Sequence, residues 1–351
     1  MRFHLIAPPN VQTTKEFSLD GFGMATIRFA KLLKRLNHRV FLYASEQNEA
    51  PCDELITVVT KAEQTALLAG LEYQYAPSAD KAYPLWAMFN ARAAKEIGER
   101  KQPRDFICML GGTAQQAIAV AHSDLITVEY SIGYIASFSK YRVYESQYWR
   151  AWSSGAQGNQ DGRFWDDVIP LFFDPTEFTF RWEKEPFALF VGRLTPKKGL
   201  TIACQAAAAA GIPLKVIGHG DTNLVTHGAE YLGALDMATR NEWMSRASAL
   251  ICPTTYIEPF GSTAVEAQMC GTPVVSTDFG GFVETVEHGR TGYRCNYLGE
   301  FAQGLKDAAK LNSFYIHQRA LELYSIESAA QKYQRYFDRL MLLWDKGWNT
   351  P

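Results

Sequence analysis

No stretch of this 351-residue chain approaches the ~18–20 consecutive apolar residues that a membrane-spanning helix needs. The six cysteines, at positions 52, 108, 204, 252, 270 and 295, contain no C-x2-C pair and have no histidine at zinc-ligand spacing. That excludes a zinc module or a disulfide scaffold, and the thiols read as buried and reduced, as in a reducing compartment. Charge of one sign is also scarce: the formal net charge is −2, which gives no general electrostatic basis for nucleic-acid binding. Asp166 and Asp167 are adjacent instead of forming Asp-x-Asp, and no other metal motif is present, so no metal ligand is assigned. No complete G-x-G-x-x-G follows the first apolar segment, which weakens a dehydrogenase reading. The first eight residues are too short and too soon interrupted for a signal peptide; they read as a first strand, and the expected location is cytoplasmic.

What is present is ordinary for a globular protein: 47% hydrophobic and 21% charged residues, in a chain long enough for about two domains. Its most informative stretch is Glu258-Pro259-Phe260-Gly261-Ser262-Thr263-Ala264-Val265-Glu266. Residues 249–253 read as a buried strand and 262–270 as a helix stopped by Gly271, because glycine enters left-handed space without steric cost. Glu258 is thus expected where a strand ends, and the NH groups of residues 261–263 at a helix N-terminus that attracts anions. Glu266, four residues after Ser262, can point back to the same mouth. Carboxylates beside an anion site suit a ligand with hydroxyls on both sides of its phosphates, since a carboxylate accepts strong charge-assisted bonds from a diol. A nucleoside diphosphate sugar has that layout. The alternative is two surface glutamates favoured by the helix dipole.

A second motif follows the apolar run 187–191: Gly192-Arg193-Leu194-Thr195-Pro196-Lys197-Lys198-Gly199, then a helical run over 200–210. Arg193 and Lys198 flank a loop between strand and helix, where ligands of open parallel sheets bind. A planar guanidinium and a point-charge ammonium together suit a diphosphate; simple solvation of both is the competing reading.

Gly-Arg-Leu-x3-Lys-Gly at 192–199, Glu-x7-Glu at 258 and 266, Cys270-Gly271-Thr272-Pro273-Val274-Val275-Ser276, Gly280-Gly281 and the run 284–292 resemble family 4 of the retaining glycosyltransferases. The specific part covers roughly residues 187 to 295. The resemblance implies an α/β fold of the GT-B type, two Rossmann-like domains with parallel sheets facing across a cleft. It also implies diphosphate contact by Arg193 and Lys198, Glu258 facing the transferred sugar, backbone NH groups from Phe260, Gly261, Ser262 and Thr263, and Glu266 on the ribose. Loops holding Gly218 and His219 would line the base pocket. No cofactor is implied, the nucleoside diphosphate sugar being a co-substrate.

The N-terminal half shows the family only in pattern. Residues 3–7, 24–36 and 39–44 read as strand, helix and strand, and Gly21 and Gly23 allow close approach to a ligand, though turn chemistry explains them as well. Where the family carries a histidine after a strand, this chain reads Thr127-Val128-Glu129-Tyr130; Glu129 is a candidate replacement, or a residue that simply ends a strand. Residues 130–152 hold eight aromatics, of which Phe138, Tyr141, Tyr148 and Trp152 fall near one helical face, either core contacts or a sugar platform. Residues 153–161 read as a loop. Arg28, Lys31, Lys34 and Arg35 give one helix a basic side that either faces water or docks on an anionic membrane.

The expected organisation is a first, acceptor-side domain over 1–168, completed by C-terminal helices at 330–351, and a donor-binding domain over 169–329. The expected activity is transfer of a hexosyl unit from a UDP- or GDP-sugar to a glycan or lipid-linked acceptor hydroxyl. A GT-B-like sugar-nucleotide epimerase and a non-catalytic nucleotide-sugar binder are the alternatives.

Overall fold

The computed structural model describes residues 1–15, 21–68 and 83–346, with side chains as far as residue 343. Asp20 and the side chain of Trp344, both included in segments read above, lie outside these. The chain divides into two compact units. One takes Met1–Glu145, Arg150–Pro170 and the chain from Ala329; the other takes Ser146–Trp149 and Leu171–Ser328.

The first unit is built on seven parallel strands: β1 (Arg2–Ile6), β2 (Arg39–Ser45), β3 (Glu54–Val59), β4 (Phe106–Met109), β5 (Ile126–Ile132), β6 (Tyr141–Tyr144) and β7 (Asp166–Val168). Their order is β3-β2-β1-β4-β5-β6-β7, with register set by pairs such as Phe3↔Val40 and Phe3↔Phe106. The central strands β1, β2 and β4 are near-continuous buried runs because helices cover both faces and leave no solvent side to alternate toward. One face packs on α1 (Gly21–Arg35) and α12 (Ile326–Lys346). There Phe337 meets Phe3 edge-on at 4.7 Å and Phe29 stacks on Tyr130 at 4.0 Å. The other face packs on α2 (Lys61–Leu68), α3 (Pro84–Arg100) and α4 (Gln116–Ala121) through Leu68, Phe89, Ile97 and Ile118. Polar His4 is tolerated in β1 because its ring bonds Tyr43 Oη at 2.8 Å and Asp105 at 3.0 Å.

The second unit has six parallel strands: β8 (Glu185–Val191), β9 (Leu214–Ile217), β10 (Glu230–Gly233), β11 (Ala247–Cys252), β12 (Val274–Thr277) and β13 (Gly292–Cys295), ordered β10-β9-β8-β11-β12-β13. Helices α6 (Leu200–Ala210) and α10 (Leu298–Ala308) cover one face, and α7 (Met237–Arg246), α8 (Ser262–Met269) and α9 (Phe282–Thr285) the other. α11 (Ser313–Tyr324) packs behind α8. Strand order reverses between β8 and β11, and in open sheets of this kind ligands bind outside the carboxyl ends of the strands at that reversal.

Two sequence expectations fail in the aromatic run. Phe138, Tyr141, Tyr148 and Trp152 do not share a helix: Tyr141 opens β6, and helix α5 starts only at Gln147 (Gln147–Ala156). The segment 141–144 instead pairs with β5, Val128 against Tyr141, and cross-strand burial overrides the helical spacing. Nor is 153–161 a loop throughout, since Ser153 and Ser154 are buried in the last turn of α5.

Candidate active site

In the second unit the loops leaving β8, β9 and β11 are joined through their backbones. Leu194 donates to the His219 carbonyl at 2.8 Å, Asp221 to the Leu194 carbonyl at 3.0 Å, and Thr255 to the Lys197 carbonyl at 2.9 Å. Gly218 donates to the Gly233 carbonyl at 3.0 Å, and its own carbonyl accepts from Tyr231 Oη at 2.8 Å. The structure therefore brings together Arg193, Lys198, Gly218, His219 and Glu258. These residues are distant in sequence and sit at the strand-order reversal.

Glu258 is not at the end of a strand as its sequence suggested; β11 stops at Cys252 and Glu258 lies in the loop beyond. Lys198 Nζ donates to Glu258 Oε2 at 2.7 Å, and Tyr256 Oη donates to the same oxygen at 2.8 Å. The ammonium also lies 5.1 Å from the centre of the Tyr256 ring. Burial pulls the Lys198 ammonium down, but the Glu258 charge, Tyr256 and their hydrogen bonds outweigh it and hold the ammonium above its ordinary range. Arg193 is exposed and makes no side-chain hydrogen bond or ion pair with the described residues, which leaves its guanidinium available. His219 is half-buried in its loop.

α8 starts at Gly261, whose φ of +85° turns the chain into the helix. A side chain there would strike the Phe282 ring, 2.5 Å from where its Cβ would stand. The amides of Ser262 and Thr263 open the helix without intrahelical acceptors. Phe260 is 2% exposed and meets Tyr324 edge-on, so only its backbone is available to a ligand. The helix ends at Met269, and Gly271 takes the left-handed φ of +75° that its sequence position implied.

Sequence reading missed Arg240. It is buried in α7, with Nη2 3.2 Å from Glu266 Oε2, so Glu266 is a buried, ion-paired carboxylate on α8 and not a surface residue. It missed Tyr256 as well. Arg240 reaches Glu266 only because α7 and α8 pack on the same face of the sheet, whereas Tyr256 stands two residues before Glu258 and was overlooked despite that closeness. Glu284, part of the resembling run, accepts from the amides of Gln147 and Tyr148 at 3.0 and 2.7 Å and caps α5. Ser146 Oγ donates to the Pro259 carbonyl at 2.6 Å, which ties the segment Ser146–Trp149 to the Glu258 loop.

The first-unit candidates fare differently. Gly21 and Gly23 open α1, Gly21 exposed and Gly23 buried, and Phe22 rests on the Tyr134 ring at 5.9 Å. Glu129 lies in the middle of β5 instead of ending a strand, and it is 0% exposed. Its Oε1 accepts from Tyr134 Oη at 3.0 Å, and its Oε2 from the amides of Phe138 and Ser139 at 2.8 and 2.6 Å. Those bonds shape the 133–140 connection. His122, the histidine that precedes β5 in sequence, sits just after α4 and bonds the Ala94 carbonyl at 2.8 Å.

Across neighbouring strands Glu129, Arg142 and Asp166 stand in register. Burial lifts the half-buried Asp166 carboxyl to about 6, against a weaker opposing pull from Arg142 and Arg150. Because the folded value lies above the unfolded one, the folded state keeps a proton that the unfolded chain releases. Stability is therefore lost as pH rises through about 4 to 6. Full conversion would give about 3 kcal/mol, which solvent access reduces to about 1–2 kcal/mol. Asp166→Asn is expected to gain that much above pH 6 and nothing below pH 4, as read by urea unfolding across pH. Equal effects at both pH values would contradict the assignment.

Residues 175–312 match the family described as Glycosyl transferases group 1. A phosphatidyl-myo-inositol mannosyltransferase of Propionibacterium freudenreichii is 34% identical over 125 residues, 33% of this chain and 32% of that protein. The match thus spans about a third of the length of the curated relatives. Among solved structures, AviGT4, a glycosyltransferase involved in avilamycin A biosynthesis, superposes with a TM-score of 0.72 at 17% identity, covering 97% of this chain and 98% of that one. Anabaena HepE in complex with UDP-glucose gives 0.65 at 17% identity, covering 97% and 100%. At such identities the likeness shows the fold, two parallel-sheet Rossmann-like units of the GT-B type. The matched residues 175–312 are the ones that carry the clustered loops.

Proposed function

We propose that this protein is a retaining glycosyltransferase that moves a hexosyl unit from a nucleoside diphosphate sugar to an acceptor hydroxyl. The observation that carries the reading is the meeting of exposed Arg193, the Lys198–Glu258 pair and the opening of α8 at the strand-order reversal of the second unit. A diphosphate placed there meets two cations and the amides of Ser262 and Thr263. Glu258 accepts from the sugar hydroxyls, and Glu266, with Arg240 behind it, accepts from the ribose. The HepE complex with UDP-glucose makes a UDP-sugar the first donor to try.

In the proposed step the acceptor oxygen bonds to the anomeric carbon on the face from which the diphosphate departs. The glycosidic C–O pair leaves with the phosphate oxygen, and that oxygen takes the acceptor's proton. Arg193, Lys198 and the helix amides stabilise the charge that grows on it. Those groups meet the charge without a metal, so EDTA is expected to leave turnover largely intact. Complete loss restored by magnesium or manganese would contradict this part of the reading.

The test is a screen of UDP-, GDP- and ADP-sugars by calorimetry and by slow hydrolysis without acceptor. A chain that binds none of them sinks the proposal. With the donor in hand, Glu266→Gln is expected to weaken both free nucleoside diphosphate and nucleotide sugar, and Glu258→Gln only the latter, each by about 1–3 kcal/mol. Equal losses for both ligands in both variants would point to a collapsed α8 start instead.

A further inference from the structure

Within that reading Lys198 has two partners, and the structure shows only one of them. Its ammonium sits on Glu258 Oε2, yet a diphosphate must draw it away. Glu258 is 14% exposed, so losing its cation while two phosphates arrive nearby would leave a largely buried carboxylate poorly satisfied. Tyr256 Oη, 2.8 Å from the same oxygen, is a neutral donor without the net charge that draws Lys198 toward the phosphates. Burial, and after it the Glu258 charge, holds this phenol above its ordinary range, so it stays protonated and able to donate. Both donors converge on Oε2, and Oε1 receives no hydrogen bond from the described residues.

We propose that Tyr256 is a positioning residue: its hydroxyl holds Oε2 of Glu258 when Lys198 moves to the diphosphate, so that Oε1 stays aimed at the transferred sugar. The inference rests on the glycosyltransferase reading above. The carboxylate keeps its orientation through a bond that nucleotide binding does not compete for.

Tyr256→Phe keeps the ring under Lys198 and removes only the hydroxyl. It is expected to lower kcat about 10-fold with KM for the donor changed less than threefold, and to leave the Kd of free nucleoside diphosphate within twofold. In a Glu258→Gln background the same substitution is expected to change kcat less than twofold, because the hydroxyl acts through the carboxylate. A purely structural role would instead give the same factor in both backgrounds, and that additive result overturns the proposal. So does a Tyr256→Phe protein with wild-type kcat and KM. If the wild-type chain binds no nucleotide sugar, the functional reading fails and this inference falls with it. If wild type turns over donor while the double-mutant cycle shows no coupling, only this inference fails.

Discussion

Lys198→Ala is expected to lower kcat/KM for the donor by about 30- to 1000-fold, which is 2–4 kcal/mol of transition-state stabilisation. Arg193→Ala belongs in the same range. Their effects on folding separate them. Arg193 is exposed and without a side-chain partner among the described residues, so its loss leaves stability within about 0.5 kcal/mol of wild type. Lys198 neutralises Glu258, and removing it leaves that carboxylate with Tyr256 alone, at a cost of about 1–3 kcal/mol. Adding Glu258→Gln to Lys198→Ala should recover the stability without the activity. Steady-state kinetics beside thermal unfolding reads both, and wild-type turnover in both single variants would remove the diphosphate assignment.

Gly199→Ala is expected to destabilise the second unit by more than 3 kcal/mol, through strain and overlap together. Gly199 has φ +74° and ψ 24°, left-handed backbone that costs an L side chain about 1–2 kcal/mol. Its Cβ would also stand 1.9 Å from the Pro253 carbonyl oxygen, in the loop that leads to Glu258. That contact cannot be relieved by a rotamer; the loops after β8 and β11 must part. Gly211 supplies the control, with φ +70° but nothing within 4 Å of its Cβ, so Gly211→Ala should cost only the backbone share, about 1–2 kcal/mol. Urea unfolding of the two variants compares them directly. Equal losses would show that the close approach at Pro253 carries no weight.

The second unit is more legible in sequence than the first, for a physical reason. The elements of its proposed anion site are local: a strand, a turn forced by Gly199 or Gly261, and a helix start, all within about ten residues. The helix at 200–210 coincides with the run that announced it. Arg240 reaches Glu266 only through the fold and leaves no such trace. In the first unit the aromatic run 130–152 misled because spacing in a segment rich in rings fits helix and strand alike. Pairing with β5 decided between them. Glu129 was ambiguous for another reason: a carboxylate beside apolar strand residues reads the same in sequence whether or not donors of its own unit surround it, as three do here.

The joined backbones of the β8, β9 and β11 loops have a consequence for how such a site can change over time. Leu194, Lys197, His219 and Thr255 hold one another through main-chain groups, which any amino acid other than proline supplies. Side chains at 193 and 197, both exposed, are therefore released from structural duty, and a lineage or a laboratory library can exchange them without dismantling the frame. If the proposed donor binds here, new sugar or base preferences can arise by single substitutions on a rigid ring of peptide groups, with Gly199 and Gly218 as its immovable points.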